Sequence, residues 1–570
     1  MIFLLDLISV ALVLTLTTIT CAGWGYFTAR ICRLKIEFIN MEQLWLGFAI
    51  VLTLITLTSF FGPINWTNTI GLLIIGTLSF TLQLSQHLHQ KRSTTPANLL
   101  VKAVSALFFI LIAVLWVVKT MEIPRNYDSG LYHFNSVRWI NEYGLVAGLG
   151  NLHDRLAFNQ SWFDFIAFLN FYPAFNRMGY AVANLFLLCL SVTQLLISYR
   201  KIKLPVIVFS VFLFAILLNQ KQIASPTPDI PTNILQIVIS VLILQLLYVD
   251  ITNIKRRELQ ITTIVALCIS LATIKLSGAA FAGTALILTL LISRSRLSIN
   301  RFLIISAFSI SLYAPHLVRG YLLSGAPLFP STFAAYEKFN WSMDLGAIRG
   351  ISNWVYCWAR NPGPGPVCLK ALESWEWLNI WWKRFPLLHF LPLLFSSLMI
   401  VTPFIFRRFF SLNKNALLIL LSGIPSLTGL IVWFFLAPDP RFIDATTYIL
   451  FGLSIFFFTT ASNFQLKYKL QNFSYALSIV FFSSIAISCI LFIRSGSLVS
   501  LKSILSSGFQ PIQNEKFIVL KTISGLSVYT PATGSQCFDS PLPCTPYFDT
   551  NLRLVRNESG YPKFYFTKRN

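Results

Sequence analysis

Residues 122–171 read EIPRNYDSGLYHFNSVRWINEYGLVAGLGNLHDRLAFNQSWFDFIAFLNF, a long polar and aromatic interruption in a chain that is otherwise a succession of apolar runs. That contrast sets the fold class. Hydrophobic residues make up 55% of the 570 positions, charged ones 11%, and the mean hydropathy is +0.68, so lipid is the main solvent. At about 20 mostly apolar residues per crossing, roughly fourteen segments qualify, some of them short. We therefore expect an all-α polytopic membrane protein. The first run, from Ile2 to about Tyr26, has no cationic leader and no small-residue cleavage site, and it carries Asp6 at its start. It reads as a retained span rather than a signal peptide.

The formal net charge of +23 points first to nucleic acid, but the cations are not gathered in a stripe interleaved with stacking aromatics. They recur between alternate spans: Arg30, Arg33 and Lys35; Lys91, Arg92 and Lys102; Arg200, Lys201 and Lys203; Lys255, Arg256 and Arg257; Arg294, Arg296 and Arg301; Arg407, Arg408 and Lys414; Lys467 and Lys469. This is the positive-inside pattern of a multi-pass protein and excludes nucleic acid as the expected partner. It predicts both termini, the 122–171 loop, a second long loop over 319–384 and the tail after Arg494 on the extracytoplasmic side. Cysteine usage gives an independent check. Cys357 with Cys368 and Cys537 with Cys544 are close pairs that fall only in segments assigned outside, as expected for two disulfides in an oxidising compartment. Neither pair has metal-site spacing.

In order, the chain divides into a three-span extension (1–98), a membrane core (99–462) with its two outer loops, a last span (463–493) and a small mixed or β tail domain (494–570). The tail's runs FIVLKTISGLSVYT and FYFT alternate as strands do, and such a small unit has little core and relies on a staple. Within 122–171, Asn126, Tyr127 and Asp128 offer a helix start, and Leu131, Phe134, Val137 and Ile140 mark an amphipathic helix lying at the interface. A second short apolar helix is expected from Ser161 to Leu169, with a tryptophan-dense stretch from Trp341 to Trp382 as an aromatic belt in the other loop.

The polar residues that topology places outside include Asp128, His133, Arg138, His153, Asp229, Lys275 and Arg441. Each has a bland alternative: Asp128 as a helix cap, the histidines as interfacial packing, Lys275 as a snorkelling side chain, Arg441 as a partner of Asp444. Together, carboxylates and cations at a lipid surface suit a reaction on a lipid phosphate, with cations holding the phosphate and a carboxylate taking the proton of an acceptor hydroxyl.

The phrases NYDSGLYHFNSVRWINEYG, SPTPDIP, TIKLSG and DPRFID resemble the outer-loop motifs of the GT-C superfamily of polytopic glycosyltransferases, which includes protein mannosyltransferases and aminoarabinose transferases. The resemblance implies an inverting membrane enzyme with a polyprenyl-phosphate sugar donor and a polysaccharide, lipid or protein acceptor outside the cytoplasm. It implies Asp128 as base, Asp229 as second acid or metal-side ligand, and Lys275 and Arg441 as phosphate binders; His133, Arg138 and His153 are further candidate substrate contacts by their place on the outer side alone. A divalent ion is compatible with paired carboxylates beside a phosphate and is not required by the sequence. Ser129 stands where a second acid is usual, and Phe442 where tyrosine is common. YDSGLYH and GLGNLH also resemble phrases of a group of bacterial polytopic membrane proteins of unassigned function. Two other functions remain open at this point: a transporter or flippase of lipid-linked sugars, which calls for ionisable groups at the bilayer midplane, and a non-catalytic envelope assembly protein. With no retention signal or transit peptide read in the sequence, we expect a bacterial plasma membrane rather than an endoplasmic reticulum.

Overall fold

The computed structural model describes residues 1–34, 36, 40–88, 112–175, 178–249, 254–294, 297–363, 365–462, 483, 490, 497–512, 516–557 and 561–569. Among these residues, 11 helices are long and apolar enough to cross a membrane, from Ile2–Ile31 to Asp444–Ala461. The expected span over Leu204–Leu218 is a shorter apolar helix beginning at Val206, after Pro205. Those expected near Leu99–Val118 and Tyr475–Phe492 lie wholly or mostly outside the described residues, as do several of the basic clusters.

Three helices, Ile2–Ile31, Met41–Phe61 and Trp66–Leu88, form one corner of the bundle. Their backbones touch through glycine: a Cβ on Gly23 would sit 1.7 Å from the carbonyl oxygen of Gly76, and one on Gly47 1.7 Å from that of Cys21. Lipid supplies no hydrophobic drive between helices, so this close approach and the dispersion contacts it permits hold them together. Gln43 seals the same corner, donating to the Ala22 carbonyl at 2.6 Å and exchanging amide hydrogen bonds with Gln83. Charged groups collect at the far ends of these helices, where Lys201 approaches Glu42 (3.7 Å) and Arg301 pairs with Glu258 (3.2 Å) while donating to the Cys32 carbonyl.

At the other end lies the polar interruption. A π-helical turn, Ser129–His133, runs into the helix Phe134–Tyr143, and the expected second helix spans Ser161–Leu169. Neither lies loosely on an interface, since Leu131, Phe134, Val137 and Ile140 are all buried and the Ser161–Leu169 helix is buried along its whole length. The cause is a set of polar ties. Asn141 donates to the carbonyls of Ile64 and Ala167 and accepts from Asn170. Asp164 is locked between Thr56 (3.0 Å), Arg319 (3.3 Å) and, through Arg319, Asn159 (2.8 Å).

The tail packs on this end too. Two antiparallel hairpins, β1 (Phe517–Lys521) with β2 (Ser527–Pro531) and β3 (Arg553–Arg556) with β4 (Phe564–Thr567), make up its strands. The sulfurs of Cys357 and Cys368, and of Cys537 and Cys544, are at bonding distance. The tail does not stand apart as a free domain. Phe566 bonds through its N–H to the Ala147 carbonyl and packs on Trp139, and Arg138 donates to the carbonyls of Asp539 and Ser540. Near the amino terminus, Asp6 accepts the N–H of Phe509. The amino terminus, the interruption, both cysteine pairs and the tail thus share one end of the bundle.

Two substitutions test these ties. Gly148 sits at φ +68 with room for no side chain, a Cβ there lying 2.1 Å from the Phe566 carbonyl oxygen. Gly148→Ala should cost at least ~1–2 kcal/mol from the left-handed backbone alone and loosen the tail, read as faster proteolysis of residues beyond 516. Arg319→Met leaves the Asp164 carboxylate buried without its counter-charge, and should lower unfolding stability by about 3–5 kcal/mol, whereas Arg319→Met with Asp164→Leu should recover most of it.

Candidate functional site

Four charged side chains from four distant segments meet beneath the tail. Asp128 begins the π turn. Helix capping there falls to Asn126, whose side-chain oxygen accepts the Asp128 N–H at 2.9 Å, while Asp128 makes no cap bond of its own. Its carboxylate is therefore free to reach Arg441, 3.4 Å away. Local unwinding of this kind recurs at functional sites because it turns side chains out of helical register.

Asp229 opens the helix Asp229–Tyr248, where the helix dipole favours an acid. The proline-rich approach to it is held by side-chain turns: Ser225 accepts the N–H of Thr227, and Thr227 that of Asp229. The same approach is pinned to the Asp128 segment by a hydroxyl pair between Ser129 and Ser225 (2.6 Å) and by Asn126 donating to Gln222 (3.1 Å). Lys275 adopts extended backbone geometry at the apex between the helices Ile254–Ile274 and Ala279–Ser293, and its ammonium contacts the Asp229 carboxylate. It does not snorkel into solvent.

Arg441 sits on the short turn Pro440–Phe442. Asp439 takes its Nε at 3.1 Å and Asp128 takes Nη1. Partial desolvation of the guanidinium opposes its charge, but the carboxylates of Asp439, Asp229 and Asp128 outweigh that and hold its pKa above the ordinary value. Phe442 lies between the cations, with Lys275 Nζ 3.9 Å and the Arg441 guanidinium carbon 4.8 Å from the ring centroid. An aromatic face attracts both and spaces two like charges that would otherwise repel. Asp444 pairs with His389 (2.8 Å) and not with Arg441. His389, a lone histidine in the apolar helix Leu387–Ile405, was not legible as a partner from sequence.

The tryptophan-dense loop explains how the turn keeps its place. Trp381 donates to the Pro438 carbonyl (2.6 Å) and Trp433 to that of Asp439 (2.8 Å). Arg360, stacked over Tyr356 and Trp377, donates to the carbonyls of Phe435 and Leu436 at the end of the preceding helix. Cys357 and Cys368 lie in this cluster. These tryptophans are more than interfacial anchors: they hold the arginine turn by its backbone.

The other candidates separate. His133 is buried beside the four charges, within electrostatic range of each, and its Nδ1 has no partner. His153 lies at the tail seam instead. Burial lowers the pKa of His133 to about 4 and that of His153 to about 3, so neither supplies a cation to a phosphate at neutral pH. Arg138 is committed to Glu142 and the tail. Among the described residues, no three His, Cys, Asp or Glu side chains gather closely enough to hold a metal ion. Because an unfolded histidine takes a proton near pH 6.5 and the folded ones only near 4 and 3, the unfolded chain binds more protons in between. Stability should fall as pH drops from about 6.5 towards 4, and the difference in unfolding midpoint between pH 7 and pH 5 should shrink in His133→Gln.

No curated protein and no solved structure matches the chain. One family model does, over residues 7–448, a stretch that includes Asp128, Asp229, Lys275 and Arg441 and stops short of the tail. With well over half its length matched, the chain belongs to the family described as "Domain of unknown function (DUF8201)".

Proposed function

We propose that the protein is an integral membrane glycosyltransferase of the bacterial plasma membrane, which transfers a sugar from a polyprenyl-phosphate donor to an acceptor outside the cytoplasm. The observation that carries this is the meeting of Asp128, Asp229, Lys275 and Arg441 at one end of a lipid-embedded bundle, from positions as much as 313 residues apart. A structural ion pair needs one acid and one base. Here three acids, Asp439 included, and two cations interlock beside a single aromatic ring, at the end of the bundle that holds both cysteine pairs.

Each cation keeps donors to spare. An ammonium has three N–H groups and a guanidinium five; Lys275 directs one at Asp229, and Arg441 directs Nε at Asp439 and Nη1 at Asp128. The remaining donors suit the oxygens of a lipid phosphate, with Arg441 the more open at 40% side-chain exposure. A phosphate arriving there competes with Asp128 for Arg441 and leaves the Asp128 carboxylate an unoccupied acceptor. The acceptor hydroxyl then gives its proton to Asp128 while its oxygen bonds to the anomeric carbon. The bond from that carbon to the phosphate oxygen breaks, its electron pair leaves with the polyprenyl phosphate, and Lys275 and Arg441 neutralise the charge that develops. Attack opposite the leaving group inverts the anomeric centre. Asp229 keeps Lys275 aimed at the phosphate.

The test is transfer from radiolabelled polyprenyl-phosphate sugar by protein in lipid nanodiscs. Asp128→Asn should lower kcat by about 10²–10⁴ with donor KM little changed; wild-type turnover in that variant would remove the base. Arg441→Gln, and the double variant Asp229→Asn with Lys275→Gln that leaves no buried charge unpaired, should each weaken polyprenyl-phosphate binding by roughly tenfold or more.

A further inference from the structure

A second group of polar side chains lies where the interruption meets the tail. His153 is 2% exposed, yet among the described residues neither ring nitrogen has a hydrogen-bond partner, and Oδ1 of Asp154 and Nε of Arg155 are buried and find none there as well. Asp154 Oδ1 stands 3.6 Å from His153 Nε2, too far for a hydrogen bond. From the tail, the Tyr547 ring meets the imidazole edge-on with centroids 5.3 Å apart, and its hydroxyl is within hydrogen-bonding reach of Arg155. Half of Tyr547 is exposed.

Buried polar atoms are nearly always satisfied in folded proteins, so several on three consecutive residues mark a place where a polar ligand or ordered water belongs. Their chemistry selects among ligands. The Asp154 oxygen needs a donor, the Arg155 Nε needs an acceptor, and a neutral imidazole needs one of each. An ionised phosphodiester offers only acceptor oxygens and leaves Asp154 unfilled. A vicinal diol donates and accepts at adjacent atoms, and the exposed ring of Tyr547 offers an apolar face to the C–H side of a pyranose.

The group is coupled to the charged cluster. Tyr132 lies within electrostatic range of Arg155 and also of Asp128, Asp229 and Arg441, and Tyr547 within range of Tyr127, which precedes Asp128. One staple serves both places. On either side of Cys537 the tail clamps the Asp128 segment, Gln536 donating to the Tyr127 carbonyl and Phe538 donating its N–H to that of Gly130. Three residues after Cys544 it presents Tyr547.

We infer that His153, Asp154, Arg155 and Tyr547 form a saccharide-binding subsite on the tail side of the charged cluster. There the hydroxyls of a sugar acceptor are held for approach to Asp128. Calling the bound saccharide the acceptor rests on the glycosyl-transfer proposal above; the subsite does not.

The experiment uses the full chain in nanodiscs prepared without glycoside detergent. Saturation-transfer NMR is run with the methyl glycosides of glucose, galactose, mannose and N-acetylglucosamine as probes, and polyprenyl-phosphate binding is measured on the same samples. At least one glycoside should take up saturation and resist displacement by inorganic phosphate. Its apparent affinity should fall about tenfold in Tyr547→Ala and in Asp154→Asn, fall less in Tyr547→Phe, and persist in Asp229→Asn with Lys275→Gln. Limited proteolysis of the tail checks that the variants remain docked. Absence of saturation for every probe, equal affinity in wild type and docked variants, or displacement by phosphate would overturn the subsite. Glycoside binding without any polyprenyl-phosphate binding would instead overturn the transferase proposal and leave the subsite standing.

Discussion

The contact between Arg441 and Asp128, 3.4 Å across 313 positions of sequence, is the interaction on which the polar end of this protein depends. It joins the start of the first outer loop to a turn near the end of the bundle. It forms only because each residue is held by its backbone from outside the pair. On one side, Asn126 takes over the capping of the helix and leaves the Asp128 carboxylate uncommitted. On the other, indole N–H groups fix the carbonyls of Pro438 and Asp439. Removing water from two ions is costly, and the geometry must be imposed by the surroundings before their attraction repays it.

Those surroundings are built from two cysteine-stapled units. The Cys357–Cys368 unit gathers tryptophans around the arginine turn, and the Cys537–Cys544 unit reaches across to the Asp128 segment. Each staple closes a short loop, 11 and 7 residues apart in sequence, in a stretch with little apolar core of its own. Below them, Asp229 opens the helix Asp229–Tyr248 and Lys275 stands at the apex that precedes Ala279–Ser293, both at this polar end. Its partly exposed groups, Arg441 above all, are the ones free to exchange partners.

Much of this was legible in the sequence. Apolar run length and the alternation of basic clusters described a multi-pass helical chain, and the Ser161–Leu169 helix, the first strand pair of the tail and its last strand fell where their periodicities put them, while Arg553–Arg556, the partner of that last strand, was not read. Other features were opaque for definite reasons. An amphipathic pattern such as Leu131, Phe134, Val137 and Ile140 says that one face is apolar, not whether lipid or protein covers it, and here protein does. Tryptophan density looked like an interfacial belt because composition cannot show which carbonyl an indole will meet. His389 gave no signal, since its partner Asp444 lies 55 positions away.

The sequence by itself determined the solvent, the class of fold and which segments share an end of the bundle, because lipid admits so few ways of satisfying a backbone that hydropathy and charge alone select among them. Tertiary structure alone decided which acid meets which cation, that His133 and His153 stay uncharged, and that the tail closes over the cluster. Those outcomes turn on ångström-scale distances between residues hundreds of positions apart, and no local pattern encodes them.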